Sequence, residues 1–198
     1  MPGISAILTA AGESTRMGRP KPLLRWHGLT LLEYQVRSLT VAGSAEVVVV
    51  LGHQADLVAP YAKGPGVRCV LNPDYLVGKT TSIKAGLSSI ASDADSILLL
   101  AVDQPRTSKI ISTLIQAHLD SNALITSPRI QGHGGHPLIF SASLKGDLER
   151  ISEQRQGLRQ VFQAHSGHIT EVEFDDPLVR LDINTPEGYE AAKKRYGA

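Results

Sequence analysis

The sequence predicts a layered α/β fold built on a largely parallel sheet. Three observations point there. Strand-like and helix-like segments alternate along the chain. The runs 46–51 and 96–102 are apolar and almost uninterrupted, as in strands buried on both faces. Loops rich in glycine or charge follow several of these runs. With 198 residues the chain is long enough for one medium domain with a real core. No internal repeat, low-complexity tract or linker divides it, so a single domain over 1–198 is expected.

Each element has its own local reason. Residues 4–9 form a short aliphatic run of strand type. Residues 31–41 carry Leu32, Val36 and Leu39 near one helical face, with Thr30 as N-cap. Strands are expected over 46–51, 67–71 and 96–102, and a helix over 81–90. Ile110, Ile111, Leu114 and Ile115 give 107–119 a helical period. Segments 123–126 and 138–140 read as strands flanking the loop Gly132-His133-Gly134-Gly135-His136. Helices are expected over 144–151 and 158–164, an alternating strand over 169–174, and a closing helix over 187–196 behind Pro186.

Composition excludes several functional classes. The formal net charge is +1, so no broad field for nucleic acid or a membrane surface is expected. No apolar stretch is long enough to span a bilayer. The N-terminus lacks a charged n-region followed by an h-region, and a cytoplasmic protein is expected. The single cysteine, Cys69, lies in the run Val67-Arg68-Cys69-Val70-Leu71 and reads as a core residue.

The most informative segment follows the first strand: Thr9-Ala10-Ala11-Gly12-Glu13-Ser14-Thr15-Arg16-Met17-Gly18-Arg19-Pro20-Lys21. A loop there can aim backbone N–H groups and cations at a polyphosphate. Gly12 and Gly18 permit a turn and a close ligand approach. Arg16 can grip phosphate oxygens through a planar fork, and Lys21 acts as a mobile point charge. It is not a Rossmann fingerprint, because the glycines are too far apart. Nor is Gly78-Lys79-Thr80 a P-loop, since Pro73 stands where the first glycine should be.

At these residues the chain resembles the molybdenum-cofactor nucleotidyltransferases, within the wider nucleoside-triphosphate transferase superfamily. That group carries L-A-[AG]-G-x-S-x-R-M-G-x-x-K after its first strand, with Thr9 replacing the leucine here. The Ala10-Ala11-Gly12 form is similar to the cytidylyltransferase branch, where a methyl at Ala11 would narrow the base pocket toward a pyrimidine. The likeness continues through Leu51-Gly52-His53-Gln54-Ala55-Asp56, Asn72-Pro73-Asp74, Thr80 to Leu87, Asp103-Gln104-Pro105, Gly135-His136-Pro137 and Asp182 to Glu187. It implies a three-layer, Rossmann-like nucleotidyltransferase fold with a mostly parallel mixed sheet.

The resemblance also implies a reaction: Mg²⁺-dependent transfer of CMP from CTP to the phosphate of molybdopterin, with pyrophosphate released. Its product would pass to a molybdoenzyme of the xanthine dehydrogenase type. Transfer to a sugar phosphate or related metabolite, and non-catalytic carriage of the molybdenum cofactor, are the competing readings. Lys21 and Arg16 would contact the β- and γ-phosphates, and Ala10, Ala11 and Gly12 would offer backbone groups to base and phosphates.

Asn72, Thr81 and Ser82 are candidates for base or ribose contacts, though Thr81 and Ser82 equally suit a helix start. Locally, Asp103 reads as a metal ligand or as a turn residue ahead of Pro105; the resemblance implies the metal role. Asp182 is the second candidate metal carboxylate, or a cap before Pro186. The resemblance places His136 on the acceptor side. It lies three residues from His133, but no cysteine or carboxylate cluster accompanies the pair, which argues against zinc.

Overall fold

A computed structural model describes residues 3–197. Its centre is an eight-stranded sheet in the order β10-β7-β9-β6-β1-β4-β5, with a short β8 paired to β7. The strands are β1 (Ile4–Ala10), β4 (Glu46–Leu51), β5 (Val67–Leu71), β6 (Ser96–Ala101), β7 (Ile125–Ile130), β8 (His133–Gly134), β9 (Leu138–Ser141) and β10 (Ile169–Glu173). Strands β5, β4, β1 and β6 run parallel, and β9 runs antiparallel between β6 and β7. A two-stranded ribbon, β2 (Arg25–Trp26) and β3 (Leu29–Thr30), stands apart. Its turn residues His27 and Gly28 both have positive φ, as a two-residue hairpin turn requires.

Alternation within the strands makes the three layers. Ile4, Ala6, Leu8 and Ala10 of β1 face one core with Val47, Val49, Leu98 and Leu100. Over that face pack α1 (Leu31–Val41), α4 (Ser108–Leu119) and α7 (Pro186–Tyr196). Ile7, Val48, Val50, Ile97 and Leu99 face the other core. There lie α3 (Lys79–Leu87), α5 (Lys145–Glu149) and α6 (Leu158–Ala164). Helix α3 comes close to the sheet because Gly86 has no side chain; a Cβ there would stand 2.4 Å from Ile7 Cγ2.

Most expected elements recur within a few residues. Helix α1 matches its expected span, and Thr30 and Glu33 close a reciprocal capping box at its start. Thr107 and Thr185 cap α4 and α7 through their side chains. Four elements or residues differ from expectation. Helix α3 begins at Lys79 and ends at Leu87, earlier at both ends than its apolar pattern suggests. Strand β7 runs from Ile125 to Ile130, through Pro128. Pro128 lies beyond Ile125 and Thr126, which carry the β9 pairing, so its missing N–H does not interrupt that ladder. The short helix α2 (Ala55–Val58) was invisible to periodicity because it has about one turn. Finally, Cys69 is exposed rather than part of the core. It lies on β5, an edge strand on which no residue is fully buried.

Candidate active site

The carboxyl ends of β1 and β6 open into a cleft of about 340 Å³, where ligands collect in open α/β sheets. Its wall includes Ala10, Ala11, Gly12, Ser14, Arg16 and Lys21 from the opening turn. Ser82 joins them from α3, and Asp103, Asp182 and Asn184 from the opposite side. Residues up to 175 positions apart in sequence therefore share one site, as Thr9 and Asn184 do.

The opening turn is held in shape by its own residues. Ser14 takes a left-handed conformation with φ 58°, and its Oγ accepts a bond of 3.1 Å from Lys21 N. Gly18 follows at φ 66°, and buried Met17 anchors the turn to the core. Lys21 then reaches across the cleft. Its Nζ donates to Asp103 Oδ2 at 2.7 Å and to Asn184 Oδ1 at 2.9 Å. Arg16 lines the cleft in an exposed position, where it is free to meet an incoming anion.

Asp103 is fixed by its neighbours in the turn after β6. Val102 N donates to Thr9 O at 3.0 Å, which ties that turn to the end of β1. Ile183 N donates to Asp103 O at 2.8 Å, which brings Asp182 and Asn184 alongside. Fully buried Gln35 of α1 clamps the same turn, accepting from Arg106 N and donating to Gln104 O. Among the described residues, no cluster of three or more His, Cys, Asp or Glu side chains is poised to hold a metal alone. Two carboxylates beside a glycine- and cation-bearing turn would suit Mg²⁺, which takes one or two carboxylates plus phosphate oxygens and keeps its waters.

Not every candidate side chain reaches the cleft. Asn72 is 3% exposed; its Nδ2 donates to Thr81 Oγ1 at 2.9 Å and Ser82 Oγ at 3.0 Å, and its Oδ1 accepts from Asp74 N. Thr81 Oγ1 donates back to Gly78 O at 2.8 Å. Asn72 and Thr81 thus brace the 72–82 segment, and of the three only Ser82 lines the cleft. His136 also stands off the cleft wall. Burial and nearby Arg106 push its pKa down to about 4, so the imidazole is neutral near pH 7.

Arg106, Lys79, Tyr75 and Asn184 belong to the site region without having been singled out. Arg106 is wholly buried, and its guanidinium donates to His136 O at 2.8 Å, Leu181 O at 2.9 Å and Pro105 O at 3.0 Å. Burial lowers its pKa to about 10 while Asp182 and Asp103 hold it up, so it stays cationic at neutral pH. Among the described residues its Nη2 has no partner. An arginine after a Pro turn reads in sequence as a solvated cation; nothing local reveals that carbonyls from two distant loops close around it.

A glycine turn, cations and two carboxylates at the rim of a mostly parallel sheet define a site of nucleotidyltransferase type. The chain belongs to the MobA-like NTP transferase family, whose domain matches residues 6–169. It is 30% identical to the molybdenum cofactor cytidylyltransferase of Escherichia coli K12, over 99% of this chain and 98% of that one. It is also 31% identical to nicotine blue oxidoreductase of Paenarthrobacter nicotinovorans, over 94% and 95% of the two chains. The fold superposes on the crystal structure of Rv0371c from Mycobacterium tuberculosis H37Rv with a TM-score of 0.84 at 25% identity, covering 98% of each chain. A structure of that protein in complex with manganese gives 0.76 at 27% identity, covering 96% and 97%. Among the described residues, no helix is long and apolar enough to cross a membrane.

Proposed function

We propose that this chain, acting as one unit over 1–198, transfers CMP from CTP to the phosphate of a molybdopterin-type cofactor. An oxygen of the acceptor phosphate attacks the α-phosphorus, the bond to the β-phosphate oxygen breaks, and pyrophosphate leaves with the electron pair. The observation that carries this reading is the bridge from Lys21 Nζ to Asp103 and Asn184, which sets the phosphate-binding turn against the acidic side of one cleft.

Each residue then has a task. Arg16 and Lys21 receive the β- and γ-phosphates, and Lys21 offsets charge moving onto the leaving group. Ala10, Ala11 and Gly12 present backbone groups to the nucleotide. Asp103 and Asp182 would hold a divalent ion, Mg²⁺ in this reading, which supplies charge neutralisation to the phosphates when bound. Ionised phosphate needs no protein base, which agrees with a neutral His136 beside the acceptor side. His136, neutral and set back from the cleft wall, then supports the acceptor side of the site without adding charge to it. Reaction in the cytoplasm, with delivery to a molybdoenzyme of the xanthine dehydrogenase type, completes the reading.

The full-length likeness to a cytidylyltransferase and the Ala10-Ala11-Gly12 turn support CTP and molybdopterin over other pairs. The test is pyrophosphate release with each NTP, with and without molybdenum-loaded molybdopterin. Release from CTP only when the acceptor is present is the expected result. Release with a sugar phosphate instead would overturn the acceptor, and cofactor binding without any release would make the chain a carrier.

A further inference from the structure

The ends of the cleft differ in chemistry. Near β6 stand Lys21, Asp103, Asp182 and Asn184, all charged or amide groups. Beyond β1, toward β4 and β5, the wall is Ala11, Ser82 and Tyr75, with Lys79 at the rim. A nucleotide whose phosphates lie at the first end places its base at the second.

The second end is built tightly around Gly52, the residue after β4. A Cβ on Gly52 would stand 2.7 Å from Ala11 O, 2.8 Å from Ala11 Cβ and 2.8 Å from Tyr75 Cγ. The Ala11 methyl and the Tyr75 ring therefore close on the same point from two sides. His53 N donates to Ala11 O at 3.0 Å, and the His53 ring lies 6.1 Å from the Tyr75 ring. Ala11 is only 3% exposed, so its methyl backs the ring more than it faces open space. Tyr75 is half-buried and lines the cleft.

We infer that Tyr75 is the base-size gate of this site: its ring, backed by Gly52 and the Ala11 methyl, limits the cleft to a pyrimidine and turns away the second ring of a purine. Ala11 then acts through Tyr75 rather than directly on the base. The inference rests on the nucleotide reading of the cleft given above. Aromatic contact also stabilises any stacked base, so loss of the ring weakens all nucleotides. The ratio between nucleotides, rather than a single affinity, therefore reports the gate.

The experiment is calorimetric binding of CTP, UTP, ATP and GTP with Mg²⁺, which needs no acceptor. Wild type, Tyr75→Ala, Tyr75→Leu, Tyr75→Phe, Ala11→Gly and the Ala11→Gly/Tyr75→Ala pair are compared. Tyr75→Ala should lower the CTP:GTP affinity ratio about tenfold or more, the scale on which pockets discriminate by size. Tyr75→Phe keeps the ring and should keep the ratio. Ala11→Gly should shift the ratio less, and should add nothing once Tyr75 is gone. An unchanged ratio in Tyr75→Ala, or in Tyr75→Leu should the alanine variant not fold, overturns the gate alone. So does an Ala11→Gly effect that persists without the ring. Wild type preferring GTP would overturn the CTP reading and the gate together, before any variant is compared.

Discussion

Replacing Arg106 with methionine tests how the site is held together. The side chain is wholly buried and donates to three carbonyls, His136 O, Leu181 O and Pro105 O, at 2.8–3.0 Å. Hydrogen bonds from a charged donor are worth about 1.5 kcal/mol or more each. The orphaned Nη2 gives back about 1 kcal/mol of that. Methionine fills much of the space but leaves the carbonyls unpaired, so a loss of about 3 kcal/mol is expected. For a chain of this size that is a fall in Tm of about 6–12 °C. Leu181 directly precedes Asp182, so the carboxylate should also lose its fixed place beside Asp103. Thermal scanning and urea denaturation measure the first effect; pyrophosphate release against Mg²⁺ concentration measures the second. We expect the Mg²⁺ midpoint to rise about tenfold, equivalent to about 1.4 kcal/mol. Lysine at 106 keeps the charge but cannot reach three carbonyls at once, and should recover only part of either effect. A Tm within about 2 °C of wild type would show that the three bonds contribute little beyond their desolvation cost, and would refute the reasoning.

Asp103→Asn should lower metal-dependent turnover by about two to four orders of magnitude, the scale of a lost transition-state contact; near-normal rates would remove Asp103 from the metal. Lys21→Ala should cut kcat by about 10²–10³-fold, the scale of a lost contact to the leaving group. Unchanged kinetics would place the leaving group elsewhere. Stability should also depend on pH below neutrality. Burial, and for His136 also Arg106, lowers the folded pKa of both His136 and His118, so the unfolded chain binds protons first as pH falls. For His136 the window lies between about 6.5 and about 4, with a loss approaching about 3 kcal/mol at its acid end. Urea midpoints should be flat above pH 7 and fall through that window, and His136→Asn should flatten the curve; an identical slope in the variant would reject His136 as its source.

Periodicity exposed the strands and helices because burial on a sheet face or helix stripe repeats locally. That is why β4, α1 and α6 appear where their apolar residues place them. It failed where the environment, rather than the pattern, decides burial: Cys69 sits in an apolar run, yet lies on an edge strand. The opening turn was legible because glycines, hydroxyls and cations needed to cradle a polyphosphate are contiguous. Asn72 and Thr81 were legible as polar groups near the site, but their hydrogen bonds to each other could not be read from spacing.

By itself, then, the order of residues determined the layered α/β architecture, the glycine- and cation-bearing turn after β1 and the identity of the two acidic side chains that share its cleft. Only the packed chain decided that Lys21 spans to Asp103 and Asn184, that Arg106 is sealed among carbonyls from three loops, and that Tyr75 meets Ala11 over Gly52. The physical reason is range. A turn or an amphipathic stripe is specified by neighbours along the backbone, whereas these three arrangements join positions 23 to 163 residues apart, whose meeting depends on sheet order and helix docking.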